Sequence, residues 1–449
     1  MSDQFVPATA KRRRIMDRGL KSTLLLAALA CLAGLIGLPL AGAHPLIKWI
    51  LALLVGLAGG WVIWLLAEGN REEPFLRVVK RDRIGIWKKI TVRLGAIVLA
   101  LLVDALFILC VTGLNPIDVY VTMYQGTFRT NRLIMASLRD WAPLLLISIA
   151  LAPAFKMRFW NVGGEGQVLM GALGSALVMV YVPQAVNAMF APETAASLLN
   201  GPMIYLLMLL ASMVLGALWG FIPAVFKANF GTNETLFTLM MNYVAIKIVS
   251  SFFNLWRGQA SALGQLNMTT KVGWFRGTMV LGVRNVTYLS TIIFALVMMI
   301  LMFCYLRYTK HGYEISVVGE SQRTAQYAGI SVKKVTIRTM IISGILCGIV
   351  GFLIVGGKDQ TISTATAEGN GFTAIIVAWM AKFNAFYMAL ISAFLIFLEH
   401  GSQEITNAYQ IMNKYAADII TGVILFFIIG SEFFINYRLV FRSVHKEVR

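Results

Sequence analysis

The stretch Asn161-Val-Gly-Gly-Glu-Gly-Gln167 lies between two long apolar segments and decides how this chain can fold. It places a carboxylate, two amides and three glycines where a lipid-facing helix could not readily hold them, because a charge inside a membrane is costly. The glycines allow close helix contact or a break in the helix, and a broken helix leaves free N–H groups for a ligand. The stretch therefore predicts a water-accessible route.

A second interpretation of this stretch stays open on spacing alone. Lys156 and Arg158 precede it and are typical of a cytoplasmic turn. In such a turn, Glu165 would cap a helix that starts near Gln167.

The composition is that of a polytopic membrane protein. Of 449 residues, 58% are hydrophobic and only 13% are charged, which is far more apolar than a soluble domain. The net charge of +18 is explained by basic residues that flank membrane spans on the cytoplasmic side, so no nucleic acid partner is expected. The four cysteines and four histidines are scattered, without the spacing of a metal site.

Apolar runs of about 20 residues indicate the membrane spans and an all-α fold. The run 372–402 is interrupted at Lys382-Phe383-Asn384, which predicts two short helices joined by a turn and about twelve crossings in total. The first run also resembles a signal peptide that ends at Ala41-Gly42-Ala43, but a retained hairpin is favoured. The predicted spans are 23–41, 47–67, 94–113, 142–157, 168–187, 203–226, 235–254, 286–307, 337–357 and 416–436.

The distribution of Lys and Arg predicts the orientation and the domain organisation. Both termini and the loop 308–336 are expected in the cytoplasm, although four basic residues in the outer segment 255–285 weaken the pattern there. The predicted parts are a basic N-terminus (1–22), a transmembrane hairpin (23–67), a basic linker (68–93), a transmembrane core (94–436) that contains the loop 308–336, and a basic tail (437–449).

Two further polar motifs interrupt the apolar sequence. In Gly231-Thr-Asn-Glu-Thr235, Thr232 or Asn233 is expected to cap a helix. The negative charge of Glu234 suits the positive N-terminal end of that helix. Asn242, further along, is expected to point inward. In Gly319 to Gly329, a helix-compatible run from Glu320 to Ala328 ends at a glycine. This short helix is either a docking element or a solvated amphipathic loop.

These motifs, in this order, resemble the ABC-importer permeases for nucleosides and simple sugars. The resemblance covers roughly residues 94–436. It is carried by Phe159-Trp-Asn-Val-Gly-Gly-Glu-Gly-Gln167 with Val-Leu-Met-Gly171, Gly231-Thr-Asn-Glu-Thr235 with Met241-Asn-Tyr243, Val317-Val-Gly-Glu320 through Tyr327-Ala-Gly-Ile330, and Gly371-Phe-Thr-Ala-Ile-Ile-Val-Ala378. The sequence departs from the family at the added residues 1–93, at Gly164 in place of alanine, and at Ala381-Lys-Phe-Asn384 in place of a Gly-Arg turn.

The resemblance implies a bundle of about ten spans, preceded here by two extra ones. It also implies partners: a second permease subunit, ABC ATPase subunits, and an extracytoplasmic substrate-binding protein, in the inner membrane of a bacterial cell. ATP and Mg would bind the ATPase, and this chain would carry no cofactor and no catalytic site. The nearest approach to a phosphate-binding loop, Gly356-Gly-Lys-Asp359, has Phe352 where the first glycine belongs and Asp359 where the hydroxyl belongs.

The expected solute is a nucleoside, with simple sugars or a flavin-like solute as alternatives. An ion-coupled secondary transporter would also have broken helices, but it would have no need of a docking helix. Amides and carboxylates that can bind ribose hydroxyls and base edges are predicted along the pathway: Asn161, Glu165, Gln167, Asn233, Glu234 and Asn242. The resemblance assigns coupling to the ATPase to Gly319, Glu320, Arg323, Ala325, Tyr327 and Gly329.

Overall fold

A computed structural model describes residues 76–81, 85–191, 193–194, 198–199, 201–258, 263–280, 282–409 and 414–441. The predicted N-terminus and hairpin (1–67), the cleavage site near Ala43 and most of the tail lie outside these residues. Helices dominate the described part of the chain, which confirms the all-α prediction. The chain divides into two compact units, one of residues 122–408 and one formed by the segments on either side of it.

The described residues contain nine helices long and apolar enough to cross a membrane, and one shorter apolar helix. The helices that carry these spans are α1 (Ile86–Thr112), α3 (Asn131–Lys156), α4 (Gly164–Met189), α5 (Pro202–Phe230), α6 (Glu234–Arg257), α7 (Leu289–Tyr308), α10 (Val332–Leu353), α12 (Ala385–Ala408) and α13 (Lys414–Asn436). The others are α2 (Pro116–Phe128), α8 (Lys310–Glu320), α9 (Gln322–Tyr327) and the shorter apolar α11 (Asn370–Met380).

Within the described residues, each predicted span corresponds to an observed helix. The largest difference is at 142–157, because α3 begins at Asn131, where Thr130 accepts a hydrogen bond from the Leu133 N–H. Its first turns carry charged side chains that a search for apolar runs leaves out. The interrupted run 372–402 is confirmed as two helices, α11 and α12, but only α11 is short, because α12 has the length of a full span.

The unit outside residues 122–408 is held together by a pair of helices and a small sheet. Strand β1 (Leu76–Lys80) pairs antiparallel with β4 (Tyr437–Phe441). Helix α1 packs against α13, and Arg93 forms an ion pair with Glu432 at 3.2 Å. The predicted basic linker and tail therefore each contain a strand. A second small sheet, between Thr278–Val280 (β2) and Val283–Val286 (β3), lies in the other unit.

Glycines bring α5 and α10 into backbone contact in the core of residues 122–408. A Cβ atom added at Gly216 would lie 2.4 Å from the Gly344 carbonyl oxygen, and one at Gly348 would lie 2.2 Å from that of Ser212. Such contacts are possible only without a side chain. In the sequence, glycines four residues apart at Gly56/Gly60, Gly216/Gly220 and Gly344/Gly348 predict close helix packing. The contacts confirm this prediction for the last two pairs, and the first pair lies outside the described residues.

Gly348→Val is expected to lower the stability of the protein, by about 3 kcal/mol, because the new side chain would push α10 away from α5. The matched control is Gly95→Val. Gly95 is exposed on α1, and an added Cβ there would meet no atom of the described residues within 4 Å. Thermal unfolding of the purified variants in detergent checks this, and equal melting temperatures would contradict it.

Candidate functional site

Helix α4 begins inside the transmembrane bundle rather than at its surface. The chain leaves α3 at Lys156 and turns back without regular structure, so that Gly164 packs against Leu151, five residues before the end of α3. The N-terminal N–H groups of α4 therefore lie where water is excluded, and they need acceptors from the protein.

Two asparagines supply these acceptors. Asn161 Oδ1 accepts from the Gly163 N–H at 3.1 Å, and Asn242 Oδ1 accepts from the Gly166 N–H at 2.9 Å. Asn242 Nδ2 also donates to the Val162 carbonyl at 2.9 Å, so this one amide holds both sides of the break. Both asparagines are buried, as expected for Asn242.

Glu165 performs the same task for a second broken helix. Its carboxylate accepts from the N–H of Gly369 at 3.0 Å through Oε1 and from that of Gly371 at 2.8 Å through Oε2. Helix α11 begins at Asn370, so the carboxylate lies at the positive end of this half-helix. Glu165 thus caps a helix 204 residues away and not its own, so the interpretation as a local turn cap is wrong.

The structure brings together four of the six predicted pathway residues. Gln167 joins the group, with Nε2 3.5 Å from Asn161 Oδ1. The other two lie apart at the start of α6, where Asn233 caps the helix through the Leu236 N–H and Glu234 pairs with Lys227 at 2.7 Å. The structure does not test whether any of the six contacts a solute, and that role stays a prediction.

Between α10 and α11 the chain passes through the bundle without regular helix. A π-helical turn, Ile354–Lys358, ends the span of α10, and residues 359–369 lead back to Glu165. The start of this segment lies beside Asp140 of α3, and its end is bound by Glu165 at the start of α4. Such backbone is tolerated at membrane depth only where it is buried in protein or lines water.

A network of charged side chains surrounds this segment. The Lys358 ammonium, with the side chain only 5% exposed, lies 3.0 Å from Asp140 Oδ1 and 2.6 Å from Glu368 Oε2. Asp140 also pairs with Arg139 at 3.0 Å and lies 3.0 Å from His400 Nε2. This network was not predicted from the sequence, because its members are single residues on α3, on α12 and at the ends of a loop.

Within the described residues, no group of three or more His, Cys, Asp or Glu side chains could hold a metal ion.

The motif Gly319 to Gly329 forms the end of α8 and the short helix α9. Gly319 packs against the end of α3, where an added Cβ would lie 2.1 Å from the Lys156 carbonyl oxygen. Ser321 caps α9 through the Thr324 N–H, and Gly329 follows with a left-handed φ of 76°. The helix is thus shorter than predicted, and Glu320 ends α8 instead of starting α9. Ala325 faces the protein, whereas the chain exposes Glu320, Arg323, Tyr327 and Gly329.

Half-helices that meet inside an all-α bundle are typical of membrane transport proteins. The family described as "Branched-chain amino acid transport system / permease component" matches residues 133–429, more than half of the 449 residues. The chain therefore belongs to this family of ABC-importer permeases and is a multi-pass membrane protein.

Similar proteins cover most of the chain. The guanosine ABC transporter permease protein NupP of Bacillus subtilis is 28% identical over 76% of this chain and 93% of its own length. The nucleoside ABC transporter permease protein NupB of Lactococcus lactis is 26% identical over 76% of this chain and 91% of its own. The glucose ABC transporter permease protein TsgB13 of Haloferax volcanii is 26% identical over 73% and 84%. No solved structure matches the chain.

Glu165→Ala is expected to lower the free energy of unfolding by about 3 kcal/mol, because two buried N–H groups of α11 lose their acceptor. Glu165→Gln keeps one oxygen acceptor and should lose less. Thermal unfolding measures both, with Glu193→Ala, which removes an exposed carboxylate, as the control. Equal stability of the Glu165→Ala and Glu193→Ala variants would refute the capping role.

Lys358→Met is expected to destabilise the protein by about 2 kcal/mol, because Asp140 and Glu368 lose the cation that they share, while Asp140 keeps Arg139 and His400. In the Asp140→Asn background the same change should cost less, with a coupling of about 1 kcal/mol or more between the two sites. A double-mutant cycle of unfolding free energies measures this coupling, and additive effects would show that the pair contributes nothing.

Proposed function

We propose that this chain is the transmembrane permease subunit of an ATP-driven importer for nucleosides. The observation that carries the proposal is its similarity to two bacterial nucleoside permeases over more than nine-tenths of their length. The similar glucose permease supports simple sugars as the alternative solute, and a flavin-like solute remains a further one. An ion-coupled secondary transporter is not favoured by any of these relatives.

The proposed assembly has two permease subunits, two ATPase subunits and an extracytoplasmic binding protein. The chain lies in the inner membrane of a bacterial cell with both termini in the cytoplasm. ATP and Mg bind the partner ATPase, and this chain itself binds no cofactor and catalyses no reaction. In the proposed cycle, ATP-driven closure of the ATPase switches access to a cavity between the permeases.

Helices α8 and α9 are the proposed contact with the ATPase. The predicted coupling residues Arg323 and Tyr327 are exposed on α9, and the Tyr327 side chain is 93% exposed. Behind them, Gly319 presses on the end of α3, and Glu314 of α8 pairs with Arg338 of α10 at 2.8 Å. A displacement of α8 would therefore reach α3 and α10.

Helices α3 and α10 frame the non-helical residues 359–369 and the half-helix α11. Helix α3 packs against α11, and α10 leads through its π-helical turn into residues 359–369. In the proposed mechanism, Asn161, Glu165, Gln167 and Asn242 belong to the pathway as the buried side chains that hold the two helix breaks in place. Asn233 and Glu234 belong to its cytoplasmic end, close to α9.

The test of the proposed function is uptake of radiolabelled guanosine and adenosine by cells with and without this gene. Excess unlabelled uridine, ribose and riboflavin identify the competing solutes. Loss of nucleoside uptake on deletion, restored by the wild-type chain, is the expected result. Unchanged uptake would exclude nucleosides and direct the search to sugars or flavins.

Arg323→Glu and Tyr327→Ala are expected to reduce uptake about tenfold or more, because the substituted side chains lie on the proposed ATPase contact rather than in the core. The matched control is Arg132→Glu, which reverses an exposed charge at the opposite end of α3. Membrane abundance, measured by immunoblot, should be equal for all three. Normal uptake by the Arg323→Glu and Tyr327→Ala variants would place the coupling contact elsewhere.

A further inference from the structure

Exposed side chains occur throughout the segment 364–380. In α11 the exposed residues Phe372, Ile376 and Trp379 recur at intervals of three or four, which places them on one side of the helix. Thr364 and Glu368 are exposed in the non-helical part that precedes α11. Near the C-terminus of α11, the exposed Trp160 stacks on Trp379 with ring centroids 5.1 Å apart. We call this surface the α11 face; it consists of Thr364, Glu368, Phe372, Ile376, Trp379 and Trp160.

The end of the α11 face that carries Glu368 cannot be a lipid-facing surface. The Glu368 side chain is 47% exposed, and the next residue, Gly369, is bound by Glu165 inside the bundle. A carboxylate at this depth that faced lipid would be strongly unfavourable, and so would the non-helical backbone of residues 359–369. The face must meet water or another protein surface.

The Glu368 carboxylate is held in a defined position through one of its two oxygens. Its Oε2 binds the Lys358 ammonium at 2.6 Å, and Lys358 is fixed in turn by Asp140. Its Oε1 has no partner in the part of the chain that the structure describes. Glu368 also has a left-handed φ of 53°, a conformation that residues with side chains adopt mainly where the surrounding structure imposes it.

We propose that the α11 face lines the solute path and that Glu368 and Phe372 contact the solute. The carboxylate accepts hydrogen bonds from ribose hydroxyls, and the Phe372 ring stacks on the base. The two residues lie on either side of the N-terminus of α11, which begins at Asn370, so one solute could contact both. The identity of the solute rests on the proposed function, whereas the location of the path does not.

The location is tested by the reactivity of introduced cysteines with a membrane-impermeant cationic methanethiosulfonate. In a background without the native cysteines, Glu368→Cys, Phe372→Cys and Ile376→Cys are compared with Ile300→Cys. Ile300 is an exposed isoleucine of α7, 52% exposed against 41% for Ile376. The three variants on the α11 face should react with the reagent, and Ile300→Cys should not.

Contact with the solute is tested by guanosine uptake in cells that hold the complete transporter. Glu368→Ala should lower uptake about tenfold at equal membrane abundance, and Glu368→Gln, which keeps a carbonyl acceptor, should lose less. Phe372→Leu should also lower uptake, and Phe372→Tyr, which keeps the ring, should restore it. A ring that only filled space would make leucine and tyrosine equivalent.

The outcomes separate this inference from the proposed function. Reactivity of Ile376→Cys equal to that of Ile300→Cys would show that the face meets lipid or a dry interface, and it would overturn the inference. Wild-type uptake by the Glu368→Ala and Phe372→Leu variants would overturn the contact. If the wild-type transporter carries no nucleoside, the proposed function fails, while the cysteine reactivity still decides whether the α11 face lines an aqueous path.

Discussion

The transmembrane core of this protein depends on the carboxylate of Glu165, which accepts from two backbone N–H groups of a helix more than two hundred residues away. A helix that begins inside a membrane exposes N–H groups that water cannot reach, so it exists only where the protein supplies acceptors. Glu165 supplies them for α11, and Asn161 and Asn242 supply them for α4. Both helix breaks are therefore stabilised by one small cluster of side chains.

The cluster explains why glycines and polar residues occur together in the first motif. A Cβ at Gly371 would lie 2.3 Å from the Glu165 nitrogen, and one at Gly166 would lie 2.8 Å from Asn242 Oδ1. The carboxylate and the amide reach the backbone of their partners only because no side chain separates them. The same principle operates where α5 meets α10, with the difference that there the close approach brings two backbones together.

Much of the fold could be predicted from the sequence. The apolar runs predicted every described span, since a helix must satisfy its own backbone in lipid and requires a run of that length. Lys382 and Asn384 correctly marked the turn between α11 and α12. The helix α2 and the strands β1 and β4 were missed, because each is short and leaves no long apolar run. A cap of α6 at Thr232 or Asn233 was correctly predicted, since a cap requires only residues close in sequence, and the structure assigns it to Asn233.

The sequence by itself determined the class of the protein, its spans, the packing glycines and the positions of the polar motifs, because these depend on local composition and on the thickness of a membrane. Only the tertiary structure decided which groups those motifs bind. Glu165 was recognised as a costly charge, but its partners Gly369 and Gly371 offer backbone N–H groups that leave no mark on residue type. The network of Asp140, Lys358, Glu368 and His400 was likewise invisible in the sequence, because long-range ion pairs form between residues that only the fold brings together.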